Sequence, residues 1–317
     1  MRPRFAYLHV PKVAGSSVSS ALAAAAPEAR RARYLLDRTL FGGFDRFDEV
    51  DPVNAASVWD PSRGDLDTHD VVVGHFSLAS LLTGFESFEV AMLLREPRAR
   101  LLSHYSFWRG WDPPIHDGWA PYAASRRAVE LEWAEFLSDP SIAAQTDNLA
   151  IRMLVGPDPD IPPDDFIDAA ALDDLATRAL HRQRSLGHVD VIERSGCWDR
   201  LGDWLDTTLD MQRVNVTALA SGPPIQRGWF DDTASNAVLD QRTRGDRLLW
   251  SDAGGADDVA DVVWRRHVDK IVESFEQSPT DGSLASCPTA GGPGVEHTAS
   301  AGRTTVRRLW NRIGGRT

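Results

Sequence analysis

Three stretches of this chain, FAYLHV at 5–10, DVVVGHF at 70–76 and FEVAMLL at 88–94, are apolar at almost every consecutive position. A strand that alternates apolar and polar residues can leave one face to water. A strand that is apolar throughout must be covered on both faces, which predicts a parallel sheet held between helices. Strands are therefore expected over residues 4–10, 70–76 and 88–94, with another over 186–192 and a short one over 212–216. The alanine-rich segment 16–26 has high helix propensity, and Pro97 suits the first turn of a helix running to about residue 107. Further helices are expected over 126–137, 142–154, 164–184, 197–205 and 257–275, which makes the C-terminal half mainly helical. Residues 30–63 are mixed and broken by Gly42-Gly43 and Asp51-Pro52. Residues 108–122, dense in Trp, Pro and Gly, read as a loop.

One domain over residues 1–277 accounts for this pattern. From Ser278 the composition turns to Gly, Ser, Thr, Pro and Ala, too little apolar surface to fold, so 278–317 is expected to be a flexible tail. The tail ends in RTTVRRLWNRIGGRT, whose five arginines suit weak contact with a membrane face or another acidic surface. The net charge of −12 argues against nucleic acid as a partner. Neither a secretory leader nor an apolar run of membrane-spanning length is read in the sequence, so the cytoplasm is the expected compartment. Two cysteines, Cys197 and Cys287, provide neither a disulfide framework nor metal-ligand spacing.

The chemistry-bearing residues follow the three apolar runs. After the first, Pro11-Lys12 leads to Gly15, and Ser16 and Ser17 open a helix. First-turn amides with the helix dipole behind them, two hydroxyls and an ammonium make a receptor for a phosphate-like anion. The same residues also suit a plain N-cap serine after a strand. Only Lys12 and Lys270 are lysines in a chain with 34 basic residues. The Walker pattern G-x-x-x-x-G-K-[ST] is absent, because Lys12 precedes Gly15 and no lysine follows it. After the third run, Arg95 leaves the strand and Ser103 lies eight residues on, a fork and a hydroxyl for a second phosphate or, equally, a structural ion pair and a surface serine. After the second run, His75 ends a strand where ligands of open α/β sheets bind, and its ordinary pKa suits a general base. His69 and His104 compete with it for that role.

Taken together, these segments resemble the sulfotransferases that use 3′-phosphoadenosine 5′-phosphosulfate (PAPS), in particular the Golgi-type carbohydrate and uronosyl sulfotransferases and their bacterial relatives. HVPKVAGSSV is similar to that family's 5′-phosphosulfate loop, close to H-[IV]-P-K-T-[AG]-G-[ST]-S. LLREPRARLLSHY is similar to its 3′-phosphate element, L-R-[DN]-P-x-x-R-x-x-S-x-[YF], and VVGHFS to its Gly-His segment. QTDNLAIRMLVG, LGHVDVIERSGCWDRLGDWL and RVNVT resemble downstream segments, so the likeness runs from about residue 4 to 275. Val13-Ala14 and Glu96 depart from the usual residues.

The resemblance implies a P-loop-NTPase-like parallel sheet with an additional helical C-terminal half. It implies that Lys12, Ala14, Gly15, Ser16, Ser17 and Val18 hold the 5′-phosphosulfate, that Arg95 and Ser103 clasp the 3′-phosphate, and that Lys12 and His75 are catalytic. The expected donor is PAPS, without a metal, and the expected acceptor is a hydroxyl of a saccharide or glycolipid. A P-loop phosphotransferase and an inactive nucleotide- or glycan-binding relative remain as alternatives. On the acceptor side, Trp108, Trp111 and Trp119 suit either stacking on sugar rings or a local apolar cluster, and Arg126 and Arg127 suit either an acidic sugar or an exposed helix face.

Overall fold

The computed structural model describes residues 4–26, 29–32, 35–40, 49–60, 66–84, 88–111, 113–119, 123–211 and 224–276. The expected strand at 212–216 and the expected tail at 278–317 lie outside them. Six strands form one sheet in the order β3-β2-β4-β1-β5-β6, with every pairing parallel. The apolar runs are β1 (Phe5–Leu8), β4 (Val71–His75) and β5 (Glu89–Leu94), and β6 is His188–Val191. Two short strands, β2 (Leu35–Asp37) and β3 (Val58–Trp59), arise from the segment read as mixed. β1 is wholly buried at the centre, with Phe5 opposite both Val71 and Glu89 and Leu8 opposite both Gly74 and Met92. The connection leaving β1 runs past β4 to β2, and the one leaving β4 runs back past β1 to β5. Where connections part in this way, the carboxyl ends of the strands border a crevice, and β1, β4 and β5 share it.

Helices flank the sheet and continue beyond it. α1 is Gly15–Ala25, α2 Pro52–Ala55, α3 Leu78–Gly84 and α4 Pro97–Arg109. The expected loop at 108–122 is in part helical, because α4 runs on to Arg109 and α5 covers Pro113–Gly118. The expected helix 126–137 is two, α6 (Ala123–Glu130) and α7 (Trp133–Ser138), parted where Glu132 and Glu135 form a capping box. The expected helix 142–154 is likewise divided into α8 (Ala143–Thr146) and α9 (Leu149–Val155), because Asn148 adopts a left-handed conformation with φ 44°. α10 (Ala169–Arg184) starts later than expected because the Asp168 carboxylate caps it, accepting from Ala170 N at 2.7 Å. α11 (Cys197–Leu205) matches expectation, and α13 is Asp257–Glu276. The long α12 (Thr233–Asp252) has no counterpart among the expected helices. Its buried face includes Ser235, Thr243, Gly245 and Asp246, so it lacks the apolar period by which a helix is read. Among the described residues no helix is long and apolar enough to cross a membrane.

Two apolar cores result. One surrounds the sheet. The other gathers Leu101, Leu102, Tyr105 and Trp108 of α4 with Trp133 and Phe136 of α7, Leu239 of α12 and Trp264 of α13. A buried polar knot joins α9 to α12. The Asp147 carboxylate accepts from Arg152 at 3.0 Å and from Ile167 N at 2.8 Å, while the Asn148 side-chain oxygen accepts from Gly245 N at 2.7 Å. Asp147 and Arg152 are almost fully buried, so removing either leaves a charge without its partner. Asp147→Ala is expected to destabilise the protein by about 3–5 kcal/mol in urea unfolding, whereas loss of a surface pair such as Arg126–Asp117 should cost under about 1 kcal/mol.

Candidate anion site at the strand ends

The loop between β1 and α1 is a tight turn pinned at three points. The Tyr7 hydroxyl donates to Val13 O at 3.1 Å, Val13 N to Val10 O at 3.1 Å, and the Arg95 guanidinium to Lys12 O at 3.3 Å. Lys12 (φ 69°) and Ala14 (φ 54°) both lie in the left-handed region, which costs a non-glycine residue about 1–2 kcal/mol. Such strain persists where the surroundings impose it, as these three contacts do. The N-cap of α1 is Ala14, without a side-chain cap, so Ser16 and Ser17 are first-turn residues and not the capping serines of the simpler reading. Val18 N is already bonded to Ala14 O at 3.0 Å, which takes its amide out of the expected anion cradle. Gly15 serves a purpose the sequence reading did not find. A Cβ there would lie 1.9 Å from Cε1 of His9, so the imidazole fills the space that a side chain would take.

That imidazole leads to His75. The two rings stack with centroids 4.6 Å apart, and His75 Nδ1 lies 2.6 Å from His9 O. A carbonyl only accepts, so Nδ1 carries the proton and the Nε2 of neutral His75 has a basic lone pair. Burial, partly offset by that hydrogen bond and reinforced by Lys12, brings the His75 pKa down to about 3. His69 is set aside as a competitor. It lies before β4, at the opposite end of the strand, with Nδ1 3.3 Å from Leu66 O.

β5 ends at Arg95, whose other terminal nitrogen lies 3.1 Å from Nδ1 of His267 on α13. Glu96 then caps α4, accepting from Ala99 N at 2.7 Å and pairing with Arg98, while Glu96 N donates to Glu193 beyond β6 at 3.0 Å. This turn sets the rotation of α4. The spacing i, i+3, i+4, i+7 puts Arg100, Ser103, His104 and Phe107 on one helix face. Phe107 meets the loop directly, with the Lys12 ammonium 3.6 Å from its ring centroid. That contact favours the charged ammonium, yet burial and then Arg95 outweigh it and lower the Lys12 pKa to about 7. His104 is held far below its ordinary pKa by burial, then by Arg100 and Lys12, with His75 and His9 adding to the effect.

Lys12, Arg95 and His75 are thus brought around one crevice, with the first turn of α1 at its rim. Ser103 is half-buried on the α4 face that borders it. His9, Arg100, Phe107 and His267 were not singled out in the sequence. The spacing from Arg100 to Phe107 carries a signal for two of them, whereas nothing near His267 in sequence points to Arg95. The acceptor-side expectations fare differently. Trp108 is buried in the second core against His104 and Phe136, whereas Trp119 is buried in the core around the sheet, so the two do not form one local cluster and neither ring is exposed. Arg126 and Arg127 pair with Asp117 and Asp139 on a helix surface. Among the described residues there is no group of three His, Cys, Asp or Glu arranged to hold a metal.

Four imidazoles, those of His9, His75, His104 and His267, are kept neutral by burial, while an unfolded chain would protonate them near 6.5. Their folded pKa values are lowered, so below about 6.5 the unfolded state binds more protons and stability falls with acidity. Each such group contributes about 1.4 kcal/mol per pH unit. Asp246, raised to about 6 by burial, offsets one of them between about 4 and 6. Urea midpoints should therefore fall steeply from pH 6 toward pH 4, and a flat profile over that range would contradict the buried neutral cluster. No protein-family model, curated protein or solved structure matches this chain, so the chemistry of the crevice is read from its own residues.

Proposed function

We propose that the protein is a PAPS-dependent sulfotransferase, with a P-loop-NTPase-like α/β domain and a hydroxyl acceptor of saccharide or glycolipid type. The observation that carries the reading is the pairing of His75, its Nδ1 committed to His9 O, with a cationic loop whose lysine precedes the glycine. A base that presents Nε2 can take a proton from an alcohol. A lysine in that loop can neutralise charge appearing on a leaving phosphate.

In this reading the acceptor oxygen attacks sulfur in line. His75 Nε2 takes the hydroxyl proton as the new S–O bond forms. The bond from sulfur to the bridging oxygen breaks, and Lys12 stabilises the electron pair arriving on that oxygen. The amides of Gly15, Ser16 and Ser17 and the two hydroxyls hold the 5′-phosphate, with Ala14 fixing the turn. Arg95 and Ser103 hold the 3′-phosphate. A pKa of about 3 makes His75 a weak base before ligands bind. Charge brought by the donor offsets Lys12 and raises it toward its working range.

Thermal shift with adenosine 3′,5′-bisphosphate, ATP, ADP and AMP tests the donor class. The bisphosphate alone should raise the melting temperature, on the order of 5 °C at a hundredfold excess over Kd. An equal response to ATP that depends on Mg²⁺ would instead support a phosphotransferase. His75→Ala should keep bisphosphate binding and lose roughly 10²–10⁴ in sulfuryl transfer to a screened acceptor. Lys12 gives a second test. It is largely uncharged at pH 8 in the free protein, and a bound phosphate restores its charge, so binding at pH 8 should take up close to one proton. Calorimetry in buffers of different ionisation enthalpy measures this uptake, which should vanish in Lys12→Arg.

A further inference from the structure

Two donors at this crevice have no hydrogen-bond partner among the described residues. Arg95 and His267 lie 3.1 Å apart through Nδ1 of the imidazole. A guanidinium only donates, so Nδ1 must accept, and in a neutral ring the proton then resides on Nε2. Nε2 of His267 is buried and has no hydrogen-bond partner among the described residues. The residue itself is 9% exposed. Arg100 is more extreme. It is 2% exposed, and Nε and both terminal nitrogens of its guanidinium are buried without a partner among the described residues. Its opposite charge is Asp246, whose two oxygens already accept from Ala150 N and Ile151 N. Arg100 shares the α4 face of Ser103, His104 and Phe107, which meets Lys12 at the crevice, and Arg95 disfavours its charge, so both orphaned donors lie beside Arg95. A buried donor without an acceptor costs about twice what a satisfied pair contributes, and in folded proteins such groups are completed by ordered water, an ion or a ligand.

We propose that His267 Nε2–H and the Arg100 guanidinium are ligands for the phosphate monoester held by Arg95, which makes the C-terminal helix α13 a wall of the donor site. The proposal rests on the sulfotransferase reading, which assigns the 3′-phosphate to Arg95. Two guanidinium forks, one from the end of β5 and one from α4, an imidazole N–H from α13 and the Ser103 hydroxyl then meet that phosphate. All are donors, as a phosphate dianion requires. His267 also has a positioning role, since its Nδ1 orients the Arg95 fork.

The test is calorimetric titration of the full chain with adenosine 3′,5′-bisphosphate and with AMP, which lacks the 3′-phosphate. Wild-type protein should prefer the bisphosphate by at least a hundredfold. His267→Phe keeps the ring volume without the donor and should cut that preference at least tenfold while changing AMP affinity less than threefold. His267→Gln, which offers an amide N–H near the position of Nε2, should recover most of it. Arg100→Met is read in the same two titrations. It should weaken bisphosphate binding at least tenfold while changing AMP affinity less than threefold, whereas an arginine that serves only as the counter-charge of Asp246 would affect both ligands alike. If wild-type protein does not prefer the bisphosphate to AMP, the donor reading itself fails. If it does, and His267→Phe retains the full preference, the assignment of His267 is overturned while the donor reading stands. An Arg100→Met protein that binds the bisphosphate normally, or loses bisphosphate and AMP affinity alike, would overturn the assignment of Arg100.

Discussion

The two-sided burial of α4 is the constraint on which the crevice depends. Leu101, Leu102, Tyr105 and Trp108 are held in an apolar core that does not include the sheet, and Glu96 and Glu193 fix the turn by which the helix leaves β5. With both rotation and entry fixed, the remaining face of the helix has nowhere to go but against the strand ends. Arg100 and His104 are therefore buried even though they are polar, and Phe107 reaches the loop after β1. An isolated amphipathic helix would turn such residues to water. Here the second core sets the orientation, and the cost of burying polar groups is borne by contacts well away from the strand ends.

That cost shapes the electrostatics of the site. Lys12, Arg95 and Arg100 lie close enough to oppose one another's charge, and the surrounding imidazoles stay neutral because burial and those cations both disfavour protonation. The acidic groups nearby are occupied elsewhere: Glu193 with Glu96 N and Trp250, and Asp246 with the start of α9. A crevice in this condition gains stability from any anion that enters, since one ligand relieves several repulsions at once. In such a crevice, affinity for an anion and fragility without one would have the same physical origin.

The sequence was legible where a single local rule decides the outcome. Both-face apolar runs located β1, β4 and β5, Pro97 located the start of α4, and the uninterrupted pattern of 197–205 located α11. It was not legible where tertiary contacts decide. α12 packs through Ser235, Thr243, Gly245 and Asp246, and its helical state is supported by hydrogen bonds to a segment nearly a hundred residues away. The break at Asn148 has the same cause, because its side chain bonds to α12 and the backbone takes a left-handed turn to permit this. In the site, Lys12, His75 and Arg95 follow apolar strands and could be read from that position alone. His267 reaches Arg95 across 172 positions, and no local pattern encodes such a meeting.

The packing of His9 against Gly15 has an evolutionary consequence. Because the imidazole occupies the volume in which a side chain at position 15 would begin, neither residue is free to vary alone. A larger residue at 15 becomes admissible only if position 9 shrinks, and shrinking position 9 removes the ring on which His75 rests. Drift at the loop is thereby tied to the posture of His75: relatives that keep it in this pose must inherit the histidine and the glycine as one unit.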